Sequence, residues 1–192
     1  EMCIRDRTWS GPEFNRLLGK AMAENRDDFI LALYLGRYAG FRIHECFRMD
    51  TAAAEQALRE NALTVKGKGG KVRTVPIEDE RIPMMLRKLL AQTERGHKLL
   101  VPDGMPTDRA INALELFIYR YRNEICDEGS DRCLTFHGLR HTYAAEKYTR
   151  LTEDGMSAID AHYAVSRLLG HERADVTNIY LASVRKRGRD GE

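Results

Sequence analysis

ALTVKGKGGKVRTVPI, residues 62–77, carries the one convincing sheet signal in the chain. Two β-prone runs, Leu63–Val65 and Val72–Ile77, flank a turn rich in glycine at Gly67, Gly69 and Gly70, which predicts an antiparallel hairpin. The glycines do not form a nucleotide cradle: the GxxxxGK[ST] order is missing, and no strand runs through them into a helix. Lysines at the tip of such a hairpin can still reach a phosphate.

Outward from the hairpin the patterns are helical. Ser10-Gly-Pro-Glu13 is a helix start, with a capping serine, a proline in the first turn and a glutamate three residues on. Phe14, Leu17, Leu18 and Ala21 then follow at helical spacing. A second helix is expected from Asp27 or Asp28 through Tyr38, stopping near Gly40. Further helical segments are expected at 42–49, 80–95, 107–126, 138–149, 157–169 and 175–184, with 52–60 readable as helix or loop. Residues 149–157, TRLTEDGMS, read as an exposed connection. The predicted class is mainly α with a small antiparallel β-sheet (α+β), in a single domain over 1–192. Its core spans about 10–184, and a short basic tail follows over 185–192.

The 192 residues suffice for one sizeable core, and 43% hydrophobic with 31% charged content is ordinary soluble composition. No apolar run approaches a membrane span; FILALYLGRYAGF, 29–41, comes nearest and is too short. Cys3, Cys46, Cys126 and Cys133 lack paired short spacings and read as free thiols of a reducing cytoplasm. Lys and Arg number 31 against 29 acids, so the net charge of +2 does not announce a nucleic-acid binder. The distribution says more. Lys66, Lys68, Lys71 and Arg73 crowd the hairpin, and Arg185, Lys186, Arg187 and Arg189 crowd the tail.

Three segments carry candidate chemistry. In FHGLRHTYAAEKY, 136–148, His137, Arg140 and His141 share roughly one helix face. His137 and His141 have the i,i+4 spacing of a metal pair, but no HExxH pattern or nearby cysteine supplies a third ligand. Arg140-His-Thr142 also lacks the glycine of the RHG signature of histidine phosphatases. In YAGFRIHE, 38–45, Glu45 follows Arg42 by three, as either a surface ion pair or a carboxylate holding an arginine ready for a phosphate. In LLGHERADVTNIYL, 168–181, Gly170-His171 stands nine residues before Tyr180. Read as packing, that stretch is core with Tyr180 filling a gap; read as chemistry, Tyr180 reacts.

Taken in order, Arg42 with Glu45, Lys68 in the hairpin, His137 and Arg140 with His141, Gly170-His171 and Tyr180 resemble the catalytic domain of the tyrosine recombinases, the phage-integrase family. LLGH and the strand-like VPI after the hairpin resemble it too, and the likeness covers roughly residues 10–184. It implies the tyrosine-recombinase catalytic fold and a site-specific recombinase or integrase, in the style of a mobile-element enzyme, acting on duplex DNA. Tyr180 would attack a phosphodiester and form a 3′-phosphotyrosyl bond. Arg42 and Arg140 would clamp the phosphoryl oxygens, and Lys68 would protonate the leaving 5′-oxygen. His137 would act as acid or base, His171 would donate to the phosphate, and Glu45 and His141 would support them from behind. Lys66, Lys71, Arg73 and Arg173 are the candidate contacts to the DNA backbone.

The resemblance further implies no cofactor and no metal, a homotetrameric synapse with the isolated domain a monomer, and accessory DNA-bending or directionality proteins. The expected location is cytoplasmic, on DNA. The family's usual DNA-binding domain in front of this one is expected to be absent from the chain, which would weaken binding. Tyr143 and Tyr148, close to His137 and Arg140 in sequence, are read as packing. Thirty-one positions separate Arg140 from His171, a longer interval than the family usually shows, and 149–163 is where the extra length is expected. A type IB topoisomerase, which nicks and reseals by the same chemistry, and a DNA-binding relative that no longer cuts are the alternatives.

Overall fold

The structure, a computed structural model, describes residues 8–67, 70, 72–130 and 132–170. Its elements run in the order α1 (Gly11–Ala23), α2 (Asp27–Ala39), α3 (Ile43–Cys46), α4 (Thr51–Glu60), β1 (Ala62–Lys66), β2 (Val72–Pro76), α5 (Arg81–Leu90), α6 (Thr107–Ile125), α7 (Phe136–Glu153) and α8 (Ala158–Leu169). The class is therefore mainly α, with one two-stranded antiparallel sheet among the described residues, as the hairpin signal predicted. None of the described helices is long and apolar enough to cross a membrane.

The local signals explain most boundaries. Ser10 Oγ accepts from the Glu13 N–H at 3.2 Å while the Glu13 carboxylate accepts from the Ser10 N–H at 2.8 Å, the reciprocal pair that starts α1. Gly40 ends α2 in the left-handed region at φ 64°. Asp50 caps α4, accepting from the Ala53 N–H at 2.8 Å, which settles 52–60 as helix. In the sheet Leu63 faces Val75 and Val65 faces Arg73. Leu63, Val65 and Val75 are buried, so this edge of the hairpin closes onto the core. One expectation needs revision. The connection foreseen from 149 is helical as far as Glu153, and the turn is confined to the residues before Ser157, which caps α8.

α2 is the central helix. It is buried continuously from Phe29 to Arg37, because α1, α5 and α7 pack around it. Two of its glycines set how near α7 comes. A Cβ on Gly36 would lie 2.8 Å from the Phe136 ring, and one on Gly40 would lie 2.5 Å from Tyr143 Cδ1. Both positions meet α7, so α7 lies directly against the α2 backbone and the Gly40 turn that ends it. That approach is what lets Arg140 reach the turn leading to Arg42.

The start of α7 is fixed from the other side by the chain's first described residues. Trp9 donates its backbone N–H to Thr142 Oγ1 at 2.8 Å and its indole N–H to the Thr135 carbonyl at 2.9 Å. Arg132 reaches the Thr8 carbonyl at 3.0 Å and pairs with the fully buried Glu13. Glu13 thus serves two ends, capping α1 and anchoring the loop into α7.

Candidate active site

Arg42 and Glu45 lie at the short helix α3, immediately after the Gly40 turn. The Glu45 carboxylate accepts from the Arg42 backbone N–H at 2.7 Å and from its Nη1 at 3.1 Å. The pair is not on the surface: the Glu45 side chain is 2% exposed, while Arg42 keeps 31% exposure. Glu45 accepts again from Arg73, Nη1 to Oε1 at 2.8 Å and Nη2 to Oε2 at 2.7 Å. Burial pushes the Glu45 carboxyl up, but the Arg73 bonds, the Arg42 N–H and the Arg73 and Arg140 charges outweigh it and hold it at about 2. Its usual value is 4.5, so the pairing stabilises the fold above about pH 4.5 and is lost as pH falls toward 2. Glu45→Gln should flatten the loss of melting temperature across that window. An unchanged acid limb would show that this carboxylate is not the group being protonated.

Arg140 is completely buried. Its Nη1 donates to the Gly40 carbonyl and its Nη2 donates to the Leu169 carbonyl at 2.6 Å. One guanidinium therefore joins the turn before Arg42 to the end of α8, one residue short of the Gly170-His171 pair. Thr135 caps α7, accepting from the Gly138 N–H at 3.3 Å, and His137 stands exposed in the first turn. That position is at the positive end of an 18-residue helix, which favours a nearby phosphate. His141 is buried, and its ring meets the His137 ring edge to face at 4.7 Å.

A cavity of about 370 Å³ opens beside these groups. Arg42 and His137 both line it, with Phe41, Phe136 and the α6 residues Tyr119 and Arg122. His44 lines it as well and was not singled out from the sequence, where it has no partner at a recognisable spacing. Burial lowers its pKa, and the charges of Arg48, Arg42 and Arg140 lower it further against the pull of Glu45, so it is neutral near pH 7.

The structure thus brings together Arg42, Glu45, His137, Arg140 and His141. Lys68, His171 and Tyr180, with the backbone-contact candidates Lys71 and Arg173, lie outside the described residues. Lys66 is exposed at the end of β1. Arg73 departs from expectation: its side chain is 8% exposed and its two terminal nitrogens are committed to Glu45, so it faces inward rather than toward DNA. Arg73 stands two residues before buried Val75, on the same inward face of β2, and the ion pair with Glu45 satisfies its charge there. Tyr143 and Tyr148 are 8% and 7% exposed and pack in the core, as read from the sequence.

With this geometry established, the chain matches the profile of the phage integrase family over residues 13–187. The chain belongs to the phage integrase family. It is 30% identical over 181 residues to the tyrosine recombinase XerD of Lacticaseibacillus casei, covering 90% of this chain and 57% of that protein. Against XerD of Pseudomonas putida it is 27% identical over 170 residues, covering 85% and 51%. The chain therefore spans little more than half the length of these relatives. Among solved structures it superposes on XerA recombinase with a TM-score of 0.67 at 20% identity, over 95% of this chain and 64% of the other. The catalytic domain of bacteriophage HP1 integrase gives 0.60 at 20% identity, over 90% and 85%. At such identities the structural matches establish the phage-integrase fold.

Proposed function

We propose that this phage-integrase-family chain cuts and rejoins duplex DNA through a 3′-phosphotyrosyl intermediate, as the catalytic domain of a site-specific recombinase. The observation that carries the reading is the convergence of Arg42 and His137 on one cavity, with Arg140 bonded to the turn two residues before Arg42. A phosphodiester placed there would meet permanent positive charge on its non-bridging oxygens, which is where charge builds in the transition state.

The Tyr180 phenol oxygen would attack phosphorus while the bond to the 5′-oxygen breaks. His137 would take the phenolic proton, and Lys68 would supply a proton to the departing 5′-oxygen, leaving a free 5′-hydroxyl. His171 would donate a hydrogen bond to a phosphoryl oxygen. The energy of the phosphodiester is kept in the tyrosyl ester, so a 5′-hydroxyl from a partner strand can reverse the step and create the new junction. Arg140 enters this scheme from an internal position. Exchanging the Leu169 carbonyl for a phosphate oxygen would let it share the clamp, coupling substrate arrival to the end of α8. A homotetramer on two duplexes, accessory DNA-bending or directionality proteins, and a further DNA-binding domain working with this one belong to the same proposal.

The test is covalent capture. Duplexes from a random-sequence pool, each nicked near the centre, are incubated with the chain in EDTA and resolved on a denaturing gel. A DNA-linked protein band, digestible by protease and formed without divalent metal, is the expected result. Metal-dependent cleavage without a linked band would sink the tyrosyl mechanism, and relaxation of supercoiled plasmid irrespective of sequence would reassign the chain to topoisomerase chemistry.

A further inference from the structure

We propose that Arg73 is a positioning residue of the active site, keeping the Arg42 guanidinium available to substrate by occupying the Glu45 carboxylate. The inference rests on the recombinase reading above. Each Glu45 oxygen accepts two bonds: Oε1 from Arg42 Nη1 at 3.1 Å and Arg73 Nη1 at 2.8 Å, Oε2 from the Arg42 N–H at 2.7 Å and Arg73 Nη2 at 2.7 Å. Arg73 takes the bidentate geometry, the stronger of the two. Arg42 is left with one longer side-chain bond, enough to orient it, and with the exposure needed to meet a phosphate in the cavity.

Without Arg73, a carboxylate that is 2% exposed would have Arg42 as its remaining bonded cation. It would draw the Arg42 fork into a bidentate pair and spend there the charge that the phosphate requires. Arg73 also meets the end of α8. A Cβ on Gly170 would lie 3.0 Å from Arg73 Cδ, so the chain passes directly over the arginine stem just before His171. Gly170 takes φ 66° there, in the left-handed region, and the Leu169 carbonyl beside it is held by Arg140. The Arg73 guanidinium also faces the Phe41 ring at 5.6 Å, which closes the space around it.

The experiment compares Arg73→Met and Arg73→Lys with the wild-type chain on two duplexes of a sequence captured by the wild type. One carries the natural 5′-oxygen leaving group, and the other a 3′-(4-nitrophenyl) phosphate, whose leaving group departs without a proton. Single-turnover rates are measured per folded molecule, with melting temperature and DNA affinity alongside. Arg73→Met should slow adduct formation about 100-fold on both substrates with DNA affinity little changed, and Arg73→Lys about tenfold. Adding Glu45→Gln to Arg73→Met should recover about tenfold, because an amide no longer draws in Arg42. Should Arg73→Met not fold, the lysine variant decides by the same criteria. Wild-type rates in a less stable variant would reduce Arg73 to a structural ion pair and overturn the proposal. A defect that disappears with the nitrophenyl leaving group would also overturn it, by placing the effect on Lys68 in the hairpin. If the wild-type chain captures no DNA at all, the recombinase reading itself fails and takes this inference with it.

Discussion

Tyr180→Phe should abolish the covalent protein–DNA band while leaving DNA affinity within about twofold of the wild type. In the proposed intermediate the phenol oxygen is one of the four oxygens on phosphorus, and phenylalanine offers no atom in its place. Removing a nucleophile from a preorganised site costs on the order of 10⁴- to 10⁶-fold in rate, far more than removing any one stabilising donor. Three of the competing tyrosines fall away on burial or bonding. Tyr143 and Tyr148 are core residues, and burial pushes the Tyr143 phenol well above its usual range. Tyr121 donates to Glu24 at 2.6 Å. Tyr119 is the rival to watch, since it is 62% exposed and lines the same cavity as Arg42 and His137. A linked band persisting in Tyr180→Phe and lost in Tyr119→Phe would move the nucleophile to α6 and refute the spacing argument from Gly170-His171.

Arg140→Met should lose both stability and chemistry. Methionine fills much of the arginine's volume but leaves the Gly40 and Leu169 carbonyls, both now bonded by Arg140, without that donor. Each buried acceptor left unsatisfied costs about 1–3 kcal/mol, so a loss of roughly 2–6 kcal/mol is expected. For a chain of this length that is a drop in Tm on the order of 5–20 °C. Catalysis should fall further, by at least about 10³-fold per folded molecule, because the proposed phosphate site would lose a fixed positive charge. Arg140→Lys separates the two losses: one carbonyl and the charge are kept, so stability should return more fully than rate. Calorimetry and single-turnover capture read the two quantities independently. A methionine variant as stable as the wild type would show that the two carbonyls find other donors and that the bridge between α2 and α8 is not a structural requirement.

Much of the fold was legible because its signals are local. The Ser10–Glu13 reciprocal cap, the αL glycine at Gly40 and the glycine-rich turn between two β-prone runs each act within a few residues, and the elements form where they point. The connection after Thr149 was less legible. Its polar composition suits an exposed helix end as well as a loop, and α7 runs on to Glu153 because Tyr148 is anchored in the small core it shares with α8. The partnership of Arg42 with Glu45 was visible as an i,i+3 spacing. Its depth was not, since a surface ion pair and a buried one have the same spacing.

The order and types of Arg42, Glu45, Lys68, His137, Arg140, His171 and Tyr180 are properties of the sequence alone, and they were sufficient to indicate the family. Sequence patterning also determined the class, because a period of 3.6 over most of the chain and of 2 in one hairpin leaves little else to build. Tertiary structure decided which charges face inward. Arg73 turns to Glu45, and Arg140 is buried between the Gly40 and Leu169 carbonyls. The Arg140 placement depends on α7 lying against the α2 backbone at Gly36 and Gly40, a contact between residues about a hundred positions apart. Local propensity carries no information about such a pairing; burial energy and the need to satisfy buried polar groups select it only when the whole chain packs.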